Sequence, residues 1–194
     1  MPDRDSYILS SNTDLFQLFT GYDKTYLDIG CGHGDYLLSR CPENSEVLWI
    51  GIDVSHKRIS KAYHRLKKTN ITNFRLFHTD AQTALSMMPA YSIEEININF
   101  PDPWLKTKQW KNRLFKPSLI ADILRVLKSE GSLSFVTDIQ EYAEHVVQQL
   151  GLFPYWYSLY QPAIQVNLFK TFPTLFYRKM SPLRPISYLR FKKI

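Results

Sequence analysis

The apolar run Thr25-Tyr26-Leu27-Asp28-Ile29 passes directly into Gly30-Cys31-Gly32-His33-Gly34 and then into a helical stretch that continues through Arg40. Glycines between a buried strand and a helix form a turn that a ligand can approach closely, and strand, turn and helix in that order commit a chain to an α/β arrangement. The alternation persists. Strands are predicted over residues 47–53, 74–79, 96–100 and 133–137, and helices over 114–128, stopped by Gly131, and 141–150, ended by Gly151. This pattern predicts a mostly parallel sheet with helices on both faces. The aromatic segment 153–160 and the apolar stretches around 174–177 and 187–191 predict an antiparallel closing pair at the sheet edge. The proline- and aromatic-rich residues 154–185 predict a long substrate-facing loop.

The glycine spacing is GxGxG, with Asp35 standing where the dinucleotide fingerprint GxGxxG would place its third glycine. A pyrophosphate clamp is therefore disfavoured, and a nicotinamide oxidoreductase with it. The turn suits an uncharged or zwitterionic nucleoside, with Asp28 able to hold a cationic group such as an amino acid's ammonium. Asp53 ends the second strand, where an acidic residue accepts hydrogen bonds from ribose hydroxyls. Asp80-Ala81 follows the third strand, where a carboxylate can accept from an adenine amino group. Any one of these aspartates alone reads as a helix cap or a loop residue. Four of them, Asp28, Asp53, Asp80 and Asp102, each at a carboxyl strand end or beside the glycine turn, are hard to explain that way.

Asp102 belongs to Phe100-Pro101-Asp102-Pro103-Trp104, which breaks an alternating strand and leads into Lys106, Lys108, Lys111 and Arg113. Prolines on both sides restrict the backbone around the carboxylate, at the sheet edge where open α/β folds bind ligands. The plainer reading is a rigid surface turn. Charge is divided along the chain: residues 1–100 hold 10 Lys+Arg and 12 Asp+Glu, a net of −2, whereas residues 101–194 hold 14 and 6, a net of +8. A polyanionic partner explains that asymmetry economically; solubility alone is the alternative. The run Lys57, Arg58, Lys61, Arg65, Lys67 and Lys68 reads as a solvated helix face first and a phosphate contact second.

A chain of 194 residues, 44% of them hydrophobic, is one domain's worth, here residues 1–194. It has no apolar run of membrane-spanning length and no signal peptide at Met-Pro-Asp-Arg-Asp, so a cytoplasmic protein is expected. Cys31 and Cys41 are too few for a disulfide framework and read as reduced thiols. The five histidines are scattered, and no His/Cys cluster has metal spacing.

These residues resemble the class I S-adenosylmethionine-dependent methyltransferases and, within them, the bacterial tRNA (guanine-N7)-methyltransferases. The likeness runs from about Tyr26 to Tyr142. DIGCGHG and GIDVS at 51–55 are the generic part; FPDPWLKTKQWKNRLFKP at 100–117 and LKSEGSLSFVTDIQEY at 127–142 are the discriminating part. The resemblance implies a Rossmann-like, mostly parallel seven-stranded sheet with an antiparallel edge strand, and S-adenosylmethionine as cofactor. It implies a tRNA substrate methylated at guanine N7 in the variable loop, with no membrane and no metal. Cofactor contacts would fall to Asp28, Gly30, Gly32, Gly34, Asp53, Asp80, Ala81 and Asp102, with Asp102 also the catalytic candidate. Substrate contacts would fall to Lys106, Lys111, Arg113, Asp138, Thr174 and Tyr177. The chain departs from the family in carrying Asp28 and Asp53 for glutamates, Gln109 and Trp110 for histidines, and Tyr177 for a glutamate that contacts guanine. It also has only about two dozen residues before the first strand. A small-molecule methyltransferase and a noncatalytic RNA-binding paralogue are the alternatives.

Overall fold

The computed structural model describes residues 8, 9, 19, 21–170 and 172–194. Among them run β1 (Ile8–Leu9), β2 (Lys24–Ile29), α1 (Asp35–Arg40), β3 (Val47–Asp53), α2 (His56–Lys67), β4 (Phe74–His78), α3 (Ala81–Met87) and β5 (Ile93–Asn99). They are followed by α4 (Pro117–Val126), β6 (Leu127–Thr137), α5 (Gln140–Gly151), β7 (Trp156–Ser158), β8 (Gln165–Val166), α6 (Leu175–Met180) and β9 (Ser187–Lys193). The sheet has the order β1-β4-β3-β2-β5-β6-β9-β7, with β8 also paired to β9. The pairings among β1 to β6 are parallel, and β9 lies antiparallel to β6, β7 and β8. Strand order reverses between β2 and β5, which opens a crevice above their carboxyl ends.

Burial follows from strand periodicity. β3 is buried along its whole length, as a central parallel strand covered on both faces must be. Leu48, Ile50 and Ile52 join the core under α3, α4 and α5, whereas Val47 and Trp49 join a second core under α1 and α2, because successive side chains leave opposite faces. A Cβ on Gly51 would stand 2.7 Å from Leu37 Cδ1 and 3.0 Å from both Cys31 Sγ and Leu76 Cδ2. Gly51→Ala is therefore expected to overpack this contact and lower stability by about 1–3 kcal/mol, read as a lower urea midpoint at unchanged m-value.

The structure corrects three expectations. The helix predicted over 114–128 is confined to Pro117–Val126. Lys116 is extended (φ −113°, ψ 156°), as the residue before a proline must be. Leu127 already pairs with Ile93, so Gly131 lies inside an 11-residue strand rather than after a helix. That strand reaches its register with β5 by a bulge, in which Glu130 takes φ 67°. Second, the sheet has nine strands among the described residues: β2 to β6 and β9 are those expected, β7 falls in the aromatic segment 153–160, and β1 and β8 are two-residue additions, whereas 174–177, expected as one of the closing pair, forms no strand. Third, residues 154–185 are not one loop, since they contain β7, β8 and α6. The stretch 174–177 opens α6, where Thr174 Oγ1 accepts the Tyr177 N–H at 3.1 Å.

Candidate cofactor and substrate site

The glycine turn is fastened to β3. Gly30 N–H and Cys31 N–H both donate to Ile52 O (2.7 and 2.9 Å), and Gly32 N–H donates to Asp53 Oδ2 at 3.0 Å. With these donors engaged, the turn is not a phosphate cradle, in agreement with its GxGxG spacing. Gly34 needs its missing side chain on two counts: φ is 76°, and a Cβ would stand 3.1 Å from Ala62 Cβ on α2. Asp53, 3% exposed, also accepts from Ser55 N–H at 2.8 Å. A carboxylate has about four acceptor positions, so two bonds leave room for ribose hydroxyls.

Asp28 is 1% exposed. Its Oδ1 accepts from Asn99 Nδ2 at 3.3 Å, while Oδ2 has no partner. Burial pushes its carboxyl up to about 7, against the smaller opposing effect of the Asn99 bond. A buried carboxylate oxygen without a donor suits a cation arriving from outside. Above it lie two adjoining cavities of about 300 and 360 Å³ that share Gly30, Arg58, Asn99, Phe100 and Asp102. Asp28, Gly32 and Thr174 line the first; Asp53, Ala81 and Trp104 line the second. Asp102 is exposed at their junction.

The loop after β5 is strained where it meets the cavities. Phe100 and Trp104 both adopt left-handed backbone, at φ 50° and 45°, a conformation uncommon outside glycine. Two contacts hold it: Phe100 N–H donates to Val136 O at 2.8 Å, and Arg113 Nε donates to Pro103 O at 3.0 Å.

A family model described as "Putative methyltransferase" matches residues 23–168. The chain belongs to this methyltransferase family. It is similar to a tRNA (guanine-N(7)-)-methyltransferase of Agrobacterium fabrum, 35% identical over 122 residues, which is 63% of this chain and 53% of that protein. It is also similar to a bifunctional methyltransferase of Rickettsia bellii, 34% identical over 130 residues, which is 67% of this chain and 23% of that protein. The chain thus spans about half the length of the first and about a quarter of the second. Among solved structures, an antibiotic-related methyltransferase superposes with a TM-score of 0.69 at 17% identity, covering 96% of this chain and 95% of that one. The 16S rRNA methyltransferase KamB superposes with a TM-score of 0.69 at 14% identity, covering 95% and 94%. At these identities the likeness is one of fold.

Four of the expected site residues sit elsewhere. Asp80 caps α3, accepting from Thr83 N–H (2.9 Å) and Thr83 Oγ1 (2.7 Å), and these bonds hold its carboxyl below the usual carboxylate range. Its neighbours Thr79 and Ala81 line the cavity instead. Arg113 is 1% exposed and lies between the rings of Trp110 (4.3 Å) and Tyr142 (4.9 Å), so it braces the loop and is turned away from solvent. Asp138 accepts from Arg184 at 3.0 Å and is outside the walls of both cavities. Tyr177 is buried against Val136, Ile186 and Tyr188, and its hydroxyl donates to Phe169 O at 2.9 Å. Tyr177→Phe should therefore cost about 1 kcal/mol and Tyr177→Ala about 3–5 kcal/mol, with cofactor affinity unchanged. Calorimetry beside thermal unfolding checks both.

Sequence reasoning missed Asn99, which lines both cavities and orients Asp28, and Phe176, which lines the first cavity where Tyr177 was expected. A signal for Asn99 existed. Asn97 and Asn99 alternate with isoleucines on a strand covered on both faces, where polar side chains need a reason. Lys106 and Lys111 are exposed on the basic loop. Among the described residues, no group of three or more His, Cys, Asp or Glu is placed to hold a metal ion, and no helix is long and apolar enough to cross a membrane.

Proposed function

We propose that this protein transfers a methyl group from S-adenosylmethionine to N7 of a guanosine in tRNA. The observation that carries the reading is the unpartnered, buried Asp28 carboxylate beside the glycine turn, joined through Asn99 to the FPDPW loop. Asp28 would accept hydrogen bonds from the ammonium of the cofactor's methionine end, and Asp53 would accept from the ribose hydroxyls. Ile52 and Ala81, which line the second cavity, would flank the adenine. When bound, the cofactor would supply a sulfonium methyl to N7, with its own thioether as the leaving group and the positive charge passing to the guanine.

Guanine N7 has an in-plane lone pair and no proton to lose, so no general base is required. The chain's own residues align the base and exclude water. Asp102 accepts from the N1–H and exocyclic amine and favours the charge that develops on the ring. Asp138, neutralised by Arg184, is secondary. Lys106 and Lys111 take phosphates, and the guanosine leaves its stack to reach the crevice. The named activities of the curated relatives support guanine N7 and tRNA. The reading carries with it a cytoplasmic location and residues 1–194 as one catalytic domain. Incubation with methyl-labelled S-adenosylmethionine and unmodified tRNA should yield labelled 7-methylguanosine on nucleoside analysis. Tight cofactor binding with no label in RNA would transfer the assignment to a small-molecule substrate.

A further inference from the structure

Helix α2 carries six Lys or Arg and two His between His56 and Lys68 and no acidic residue. Its inner face is spent on packing, with Ile59, Ala62, Tyr63 and Leu66 buried. Lys57, Lys61, His64 and Lys68 are exposed, and the spacing i, i+4, i+7, i+11 aligns them in one stripe about 16 Å long. Arg58, Arg65 and Lys67 are already engaged. Arg65 binds Asp35 at 2.7 Å, and Arg58 lies 3.6 Å from Asp53. Lys57, Lys61 and Lys68 have no carboxylate partner among the described residues.

This arrangement costs the isolated helix. Lys57 lies in the first turn, where the helix dipole disfavours cations, and Lys57/Lys61 are like charges four apart. The N-terminal part of the stripe adjoins the crevice, and Lys68 extends it along the helix toward the amino edge of the sheet. Arg58 from α2 and Lys179 from α6 line the same cavity as His33, and the charge of Lys61 reaches His33. The basic 106–111 segment follows the FPDPW loop, so cations from two separate elements flank the crevice.

Resting on the tRNA reading, we propose that the exposed α2 stripe of Lys57, Lys61 and Lys68 is a second phosphate-contacting surface, so that the RNA backbone crosses the crevice from the 106–111 loop to α2. A membrane surface is the poorer partner. The apolar face of α2 is committed to the core and has nothing to insert.

The test measures tRNA affinity from 50 to 300 mM salt, and steady-state methylation, for wild type, Lys61→Glu, the triple variant Lys57→Glu/Lys61→Glu/Lys68→Glu, and Lys24→Glu. Lys24 is exposed at the opposite end of the sheet, at the start of β2, and controls for net charge. The triple variant should bind tRNA at least about tenfold more weakly and flatten the log–log salt slope by about one per lysine. KM for tRNA should rise with kcat and S-adenosylhomocysteine affinity unchanged. An unchanged slope in the triple variant, or an equal loss in Lys24→Glu and Lys61→Glu, overturns the proposal while the tRNA reading stands. Binding of the wild type to anionic vesicles but not to tRNA overturns both.

Discussion

Asp28→Asn should stabilise the free protein near neutral pH and at the same time weaken S-adenosylhomocysteine by about ten- to a hundredfold, the equivalent of about 1.5–3 kcal/mol for a charge-assisted hydrogen bond. The two effects have opposite signs because they have one cause. Asp28 is a buried carboxyl raised to about 7 from 3.8 by desolvation, so the folded chain holds a proton that the unfolded chain has already released. A folded pKa above the unfolded one makes this group's contribution greatest below about pH 4. It is lost as pH rises toward 7, at up to about 1.4 kcal/mol per unit. Asparagine is neutral throughout and removes that slope. Ligand binding runs the other way, since an ammonium beside Oδ2 favours the carboxylate. Affinity should rise with pH up to about 7 and then level, with a proton released on binding below it. Thermal unfolding and calorimetry in buffers of different ionisation enthalpy, from pH 5 to 8, read all of this. Equal affinity and equal pH dependence in Asp28→Asn would remove the ammonium from this position.

Arg113→Ala should lower stability by about 2–4 kcal/mol, a larger effect than any change to an exposed lysine of the same loop. The side chain is 1% exposed, sits between Trp110 and Tyr142, and ties Pro103 O to the segment that follows. Its Nη atoms have no hydrogen-bond partner, and Glu141 is 4.0 Å away. Its hold is therefore packing, ring contact and the one bond from Nε. Arg113→Met keeps most of the stem and should recover part of the stability. Lys111→Ala should leave the urea midpoint unchanged and reduce the salt slope of tRNA binding by about one. A wild-type midpoint in Arg113→Ala together with a reduced salt slope would return this residue to the phosphate-binding face.

The contrast between these two residues marks what could be read from the chain. β2, the glycine turn and α1 were legible because the apolar strand and the glycine spacing are local signals, and Asp28 and Asp53 followed from strand-end positions. Arg113 was not. In sequence it is one of several cations in a basic segment, and its burial depends on Tyr142, which reaches it across the fold from α5. Tyr177 was misread for a related reason. Thr174 caps a helix, so the residues after it rotate by the helical rather than the strand period. Phe176 then faces the cavity while Tyr177 enters the core. The early end of α4 was legible in principle, because Pro117 fixes where the helix begins and the apolar run through Leu127 can continue as strand.

The most direct test of the central claim is position-resolved. An unmodified tRNA transcript is incubated with the protein and S-adenosylmethionine, then treated with borohydride and aniline to cleave the chain at 7-methylguanosine. A single cut within the variable loop, absent without protein, is the predicted result. No cut, or cuts scattered over the guanosines of the transcript, would contradict it.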